Sequence, residues 1–253
     1  MKISGANMKK ILIVTTVLFT IFSGVNSSFA IDGKEIMEKV KALKKPMTII
    51  QSAVLLIVKG ERRDVLKFDG IFKDYGNESR VRIMFKEGTS MEFLVVHEKG
   101  GGSTQWLKLS NGRIRQVPQG EKGNTWLNSH FYNVDIGGVT ERQNVTYTLL
   151  GEGEVEGVPC YRIQGSGNPN GVYSSSILYV GKDDYIVRRV ELFEKGKHTK
   201  TLILEKIENI SGISTPRKIT MERADGLGKS IIYIKSINYN SPVSDNELKR
   251  SGF

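Results

Sequence analysis

Alternation limits this chain more than any other feature. Leu66, Phe68 and Phe72 are interleaved with Lys67, Asp69 and Lys73, and Val81, Ile83 and Phe85 with Arg80, Arg82 and Lys86. A period of two puts the apolar side chains on one face of a β-strand and the charged ones on the other, whereas a helix would scatter both around its axis. Apolar stretches of strand length recur at 48–58, 91–96, 105–109, 113–117, 145–155, 160–164, 175–180, 186–193, 199–210, 215–222 and 230–239. Turn signals such as Gly76-Asn77, Asn111-Gly112 and Asp225-Gly226 separate most of them. Composition points the same way, with 25 Ile and 21 Val against five Ala. Branched side chains lose rotamer freedom in helices and pack well on a pleated surface. The expected fold is mostly β, a large antiparallel meander. A sheet of roughly a dozen strands tends to curl, so the expectation is an incomplete, half-open β-barrel.

The N-terminal residues follow a different pattern. Met8-Lys9-Lys10 precedes an apolar stretch from Ile11 to Val25 and a small-polar segment ending at Ala30. This is the layout of a cleaved secretory leader, with Ser28 and Ala30 as the small residues before the cut and Met8 a better start than Met1. The apolar stretch is short for a helix crossing a hydrocarbon layer of ~30 Å. Cleavage removes Lys2, Lys9 and Lys10, lowers the net charge from +10 to +7, and leaves 31–253 as one domain without a linker. At its start Asp32 and Glu35 occupy N-cap and capping-box positions. Ile36, Met37, Val40 and Leu43 then form one apolar stripe ahead of Pro46. The spacing predicts an amphipathic lid helix running to Lys44-Lys45.

One irregular stretch, 118–140, carries Trp126, Leu127, Phe131 and Tyr132. Loops of that length are uncommon in compact domains. It is either a functional lid or a segment that fills the core with its own aromatics. Catalytic chemistry is sparse. His97, His130 and His198 lack metal-site spacing and read as surface or loop residues. No Gly-x-Ser-x-Gly elbow occurs, and Gly100-Gly101-Gly102 lacks the Lys-Ser/Thr of a phosphate loop. The single Cys160 can make no internal disulfide and reads as a small buried hydrophobe. The basic excess suits anionic lipid headgroups in peripheral membrane contact better than nucleic acid, since no recognition helix is present. Nothing argues for an enzyme, a cofactor or a metal.

Several segments, in order, carry a family resemblance. They are QWLKLSNGRIRQVP at Gln105–Pro118, GNTWLNSHFYNVD at Gly123–Asp135, TYTLLGEGEVEGVPCYRI at Thr146–Ile163, DDYIVRRVELFEKGK at Asp183–Lys197, GISTPRKITME at Gly212–Glu222 and INYNSPVSDNEL at Ile237–Leu248. Together they resemble the outer-membrane lipoprotein-sorting family, the LolA-like group that includes a treponemal lipoprotein-type domain. The chain departs from it at His130, where the family shows an acidic residue, and at Leu248, where an aromatic is common. The resemblance implies an incomplete β-barrel whose apolar concave face is lidded by helix and loop. It also implies a soluble periplasmic carrier that shelters the acyl chains of lipoproteins or lipids on the way to the outer membrane. An inner-membrane transporter would be its donor and an outer-membrane protein its acceptor. The alternative is a non-catalytic shell that binds another envelope protein, a sensor or export-pump accessory, and carries nothing.

The expected cavity wall is Leu66, Phe68, Phe72, Val81, Ile83, Phe85, Phe93 and Trp106, completed by Trp126, Leu127 and Phe131 from the loop. Shielding ~0.8 kcal/mol per CH₂ from water requires such a wall to be dry, and release of cargo favours one without polar clamps.

Overall fold

The computed structural model describes residues 31–253 except 88, 99–101, 137–144 and 168–170. The expected leader at 1–30 and the last residues of the irregular stretch lie outside the described residues.

Helix α1 spans Gly33–Ala42. Thirteen strands follow: β1 Thr48–Lys59, β2 Arg62–Asp74, β3 Glu78–Glu87, β4 Glu92–Glu98, β5 Ser103–Lys108, β6 Ile114–Gln116, β7 Thr146–Val155, β8 Val158–Ser166, β9 Ser175–Gly181, β10 Val187–Glu194, β11 Lys197–Ile210, β12 Ile213–Arg223 and β13 Gly228–Tyr239. They form one antiparallel sheet in the order β6-β5-β4-β3-β2-β1-β13-β12-β11-β10-β9-β8-β7. Each strand pairs with its sequence neighbours, except that β6 and β7 do not pair with each other. In addition β1 pairs with β13 in mid-sheet, from Ile49↔Tyr239 to Lys59↔Gly228. β6 and β7 are the two free edges, so the barrel stays open as the size of the meander predicts.

Period two holds across the sheet. Phe68 faces Phe85 and Ala53, Leu66 faces Leu55, and Ile83 faces Phe93. These side chains share one face and one buried cluster with Leu192 of β10 and Met221 of β12. Phe93 and Leu192 stand seven strands apart in the sheet order, about 34 Å if the sheet were flat. Their membership of one cluster shows that the sheet curls around this face. The opposite, convex face is mostly wet, but the C-terminal segment covers part of it. Val243 and Leu248 pack on Ile71 with Ile50 and Met84 alongside, Lys73 Nζ reaches Asp245 at 2.7 Å, and Arg82 lies over the Phe253 ring.

Helix α1 starts where expected, with the Asp32 carboxylate accepting the Glu35 N–H at 2.7 Å. It is shorter than the apolar stripe predicts, because Leu43 is already extended (φ −58°, ψ 143°). A residue preceding two lysines and a proline has little to hold it in helix. Ile36 and Met37 are buried against Ile163 and Val180, with Val40 beside them. Gly33 allows the approach: a Cβ there would stand 2.8 Å from the Leu149 N. The helix therefore lies over β7–β10, away from the early strands that were expected to form the cavity.

Candidate functional site

The curled face of β1–β5 is where the predicted wall residues meet. Phe68, Ile83, Phe85 and Phe93 are buried in one cluster, with Leu66 and Val81 packed against it. Phe72 lies farther along the same face of β2, half-buried, between Ile49 and Val81. Trp106 is a correction. It pairs with Leu94 and Gln116, one residue out of phase with Phe93 and Leu107, and so belongs to the convex side. Strand β5 presents Gln105 and Leu107 inward; a tryptophan half-buried on the outer face fits the same alternation.

The wall is not a vacant hollow, because the irregular stretch fills it. Single turns at Gln119–Glu121, Trp126–Asn128 and Asn133–Asp135 fold into a plug. A short hairpin at its centre is closed by the Thr125–Tyr132 bridge and the Trp126 N–H to Phe131 carbonyl bond of 2.8 Å. Trp126 is 1% exposed and its ring lies 5.5 Å from Phe85, 5.6 Å from Phe93 and 6.2 Å from Phe68. Such tilted and edge-on pairs add about 0.5–1.5 kcal/mol beyond burial. Phe131 is also buried, and Leu127 packs against the same cluster. Of the two readings of this stretch, core filling is the one observed.

Polar latches hold the plug. The Ser230 hydroxyl accepts the His130 N–H at 2.9 Å and lies 2.9 Å from the same residue's Nδ1. Lys200 Nζ donates to the His130 carbonyl at 2.6 Å and stands 2.8 Å from the centroid of the Tyr132 ring. Tyr132 donates its hydroxyl to Glu194 at 3.1 Å. The Asp135 carboxylate accepts from the Tyr132 N–H and the Tyr173 hydroxyl, while Gln105 Nε2 donates to the Asn133 carbonyl at 2.8 Å. Gly228 makes room: a Cβ there would come 2.6 Å from His130 Nε2. Contrary to the surface reading, His130 and His97 are both buried.

Burial has electrostatic consequences. It holds the Lys200 ammonium down to about 8, with neighbouring Asp135 and Glu194 opposing the shift. It lowers His130 below the usual imidazole range, helped by the charges of Lys59, Lys200 and Arg223. It pushes the Tyr132 phenol up to about 12, with Glu194 adding to the effect. The plug also carries unfavourable features. The Trp126 indole N–H is buried with no acceptor among the described residues, at a cost of about 1–3 kcal/mol. Leu127 (φ 51°) is left-handed, which costs such a branched apolar residue about 1–2 kcal/mol; Asn128 (φ 58°) adopts the same region with less strain.

Sequence reading missed Lys200, Ser230 and Gln105. Their signal is a break in phase: Lys200 stands in register with Leu202 and Leu204, Ser230 with Ile232, and Gln105 with Leu107. A polar side chain at an apolar phase of a strand must find a buried partner.

Two cavities, of about 200 and 190 Å³, open elsewhere. The first lies between the end of α1 and β10–β12 and is lined by Leu43, Val187, Leu204, Ile207 and Pro216. Leu43, predicted as part of the lid stripe, lines it instead. The second is lined by Val155, Arg188, Leu204 and Ile207. Both are below the ~300 Å³ at which drug-sized ligand pockets usually begin.

Comparison with known proteins places this architecture among relatives. A family model described as that of an uncharacterized protein matches residues 83–251. No curated protein matches the chain. Among solved structures, a DUF1329 family protein from Desulfovibrio piger is similar at a TM-score of 0.81 and 22% identity, over 87% of this chain and 96% of that one. A domain described as an outer membrane lipoprotein-sorting protein from Vibrio parahaemolyticus has a TM-score of 0.80 at 16% identity, over 87% and 97%. A LolA superfamily protein from Nitrosomonas europaea has a TM-score of 0.69 at 16% identity, over 88% and 100%.

Proposed function

We propose that this chain, which matches a family model described as that of an uncharacterized protein over residues 83–251 and shares its fold with LolA-like outer-membrane lipoprotein-sorting proteins, is an exported, non-catalytic binder of acyl chains whose concave apolar face shelters hydrocarbon when the aromatic plug withdraws. The supporting observation is the way that face is covered. No second sheet packs on it among the described residues. A separate segment lies there instead, whose one β-bridge among the described residues is internal; its buried aromatic rings and a set of polar contacts hold it on the strands. An acyl chain would occupy the space of Trp126, Leu127 and Phe131 against Phe68, Phe85 and Phe93. The absence of charged side chains among those rings suits a tail held by dispersion and dehydration alone. Removal from the membrane and delivery to it would then need only a competing apolar site. An inner-membrane transporter and an outer-membrane acceptor are the partners of this scheme, and the periplasm is its compartment.

Native mass spectrometry and organic extraction of purified protein test it. Co-purifying acyl lipid is expected, and Trp126→Ala is expected to bind a fluorescent fatty-acyl probe more tightly than the parent because it vacates the wall. Protein that is lipid-free and binds no probe in either form would remove the carrier reading. One observation favours a second reading in that event: the wall is filled and the open cavities are small, as in a shell that binds an envelope protein through its outer surface.

A further inference from the structure

Three hairpin turns lie side by side at the end of the sheet where the plug is latched. β1 and β2 turn through Gly60-Glu61, β12 and β13 through Ala224–Leu227, and β10 and β11 through Lys195-Gly196. The pairs Lys59↔Gly228 and Arg223↔Lys200 make them neighbours. Leu227 projects from the middle turn at 71% exposure, the highest of the large hydrophobic residues described. Its N–H is fixed by the Asp225 carboxylate at 3.0 Å, and Gly226 supplies the left-handed step (φ 73°).

Cations surround it. Arg62, Arg63, Lys195, Lys197, Arg223 and Lys229 are all exposed on these turns. Arg62, Arg223 and Lys229 are paired with Asp64, Asp225 and Glu222. Arg63, Lys195 and Lys197 have no ion pair among the described residues; Glu61 is the exposed acid left unpaired beside them. A protein partner normally needs a broad, contiguous contact area. A small apolar tip bordered by cations fits a different surface, where headgroups supply negative charge and a single anchor can reach hydrocarbon.

We propose that this end of the molecule docks on a bilayer containing anionic phospholipid, with Leu227 entering the acyl boundary and Arg63, Lys195 and Lys197 over the phosphates. The proposal does not depend on acyl chains entering the curled face, but it deepens that reading. The plug tip is tied to the same end by Lys59 Nζ donating to Asn128 Oδ1 at 2.6 Å, so docking brings the plug's release point to the membrane.

Vesicle sedimentation of the protein purified as the cell processes it tests the idea, comparing phosphatidylglycerol–phosphatidylcholine vesicles with phosphatidylcholine alone. Retention on the anionic vesicles that weakens with salt is expected. Leu227→Asp should lower the affinity roughly tenfold or more, and the Arg63→Glu, Lys195→Glu, Lys197→Glu triple variant should abolish the preference for anionic lipid. All three positions and Leu227 are exposed, so circular dichroism should match the parent; Leu227→Ala supplies a milder version. Equal binding of Leu227→Asp and parent overturns the proposal. Failure of the parent to bind anionic vesicles overturns it too, and would leave the rim to an acidic protein surface. The lipid-extraction result is independent of either outcome.

Discussion

The two covers of the curled face are built on opposite principles. Helix α1 seals β7–β10 with aliphatic side chains, a conventional N-cap and a glycine that lets its first turn touch the strand backbone. The plug seals β1–β5 with aromatic rings, yet it is positioned by a buried lysine, a buried histidine and a serine. It also tolerates an indole N–H without an acceptor among the described residues and a left-handed leucine at its tip. If the plug withdraws as proposed, these costs narrow the free-energy gap between its seated and withdrawn states.

The comparison can be broken most directly at Trp126. Trp126→Ala should destabilise the protein by about 3–5 kcal/mol in urea unfolding if the plug is integral to the core. If the plug withdraws easily, the loss should be much smaller, and amides of 122–136 should exchange with solvent faster than those of β1 and β13 in the parent as well. At the other cover, Ile36→Ala removes a side chain with no exposure and should cost about 2–4 kcal/mol without altering exchange in the plug. A change in both regions would mean that the covers act as one unit.

The pH dependence of stability sharpens the contrast, since a buried lysine and a buried histidine lie under the plug. Lys200 is about 8 in the folded state against 10.5 for an ordinary lysine. The unfolded chain therefore binds more protons between these values, and stability should rise by about 2 kcal/mol from pH 7 to 10. Above pH 10 the raised Tyr132 phenol acts in the opposite direction, because the unfolded tyrosine ionises first and the native state loses ground. On the acid side His130 is lowered, so its contribution is present above pH 6.5 and disappears as pH falls through its folded-state value. Lys200→Met should abolish the alkaline rise, as read by urea midpoints across pH. The smallest effect belongs to the helix cap: Asp32→Ala should cost about 1 kcal/mol, measured by thermal unfolding, with no effect on acyl-probe binding.

Nearly all of the strand architecture was legible, because alternation encodes both the element and its buried face. Each of the thirteen strands falls on an apolar stretch visible in the sequence, including three-residue β6 within 113–117. Trp106 was misplaced because large aromatic side chains are attractive cavity candidates, although alternation with Leu107 and Leu109 in its own strand already put it on the other face. Leu43 was misassigned because a helical stripe says nothing about where the backbone stops. The position of α1 over β7–β10 and the seating of Trp126 depend on contacts between segments far apart in sequence, and no local period records these. The latch is an intermediate case. Lys200, Ser230 and Gln105 announce themselves as polar residues in apolar phase, but only the folded chain reveals that their partners all come from one loop.

The pairing of β1 with β13 has a consequence for biosynthesis. Strands β1–β6 and β7–β13 are each linked by local hairpins, and this mid-sheet joint is the ladder that unites them. Its partners are on the order of 170 residues apart, so its closure is the most entropically demanding pairing in the chain. Strand β13 comes last of the thirteen in chain order, so the joint cannot close until every other strand of the sheet has been made.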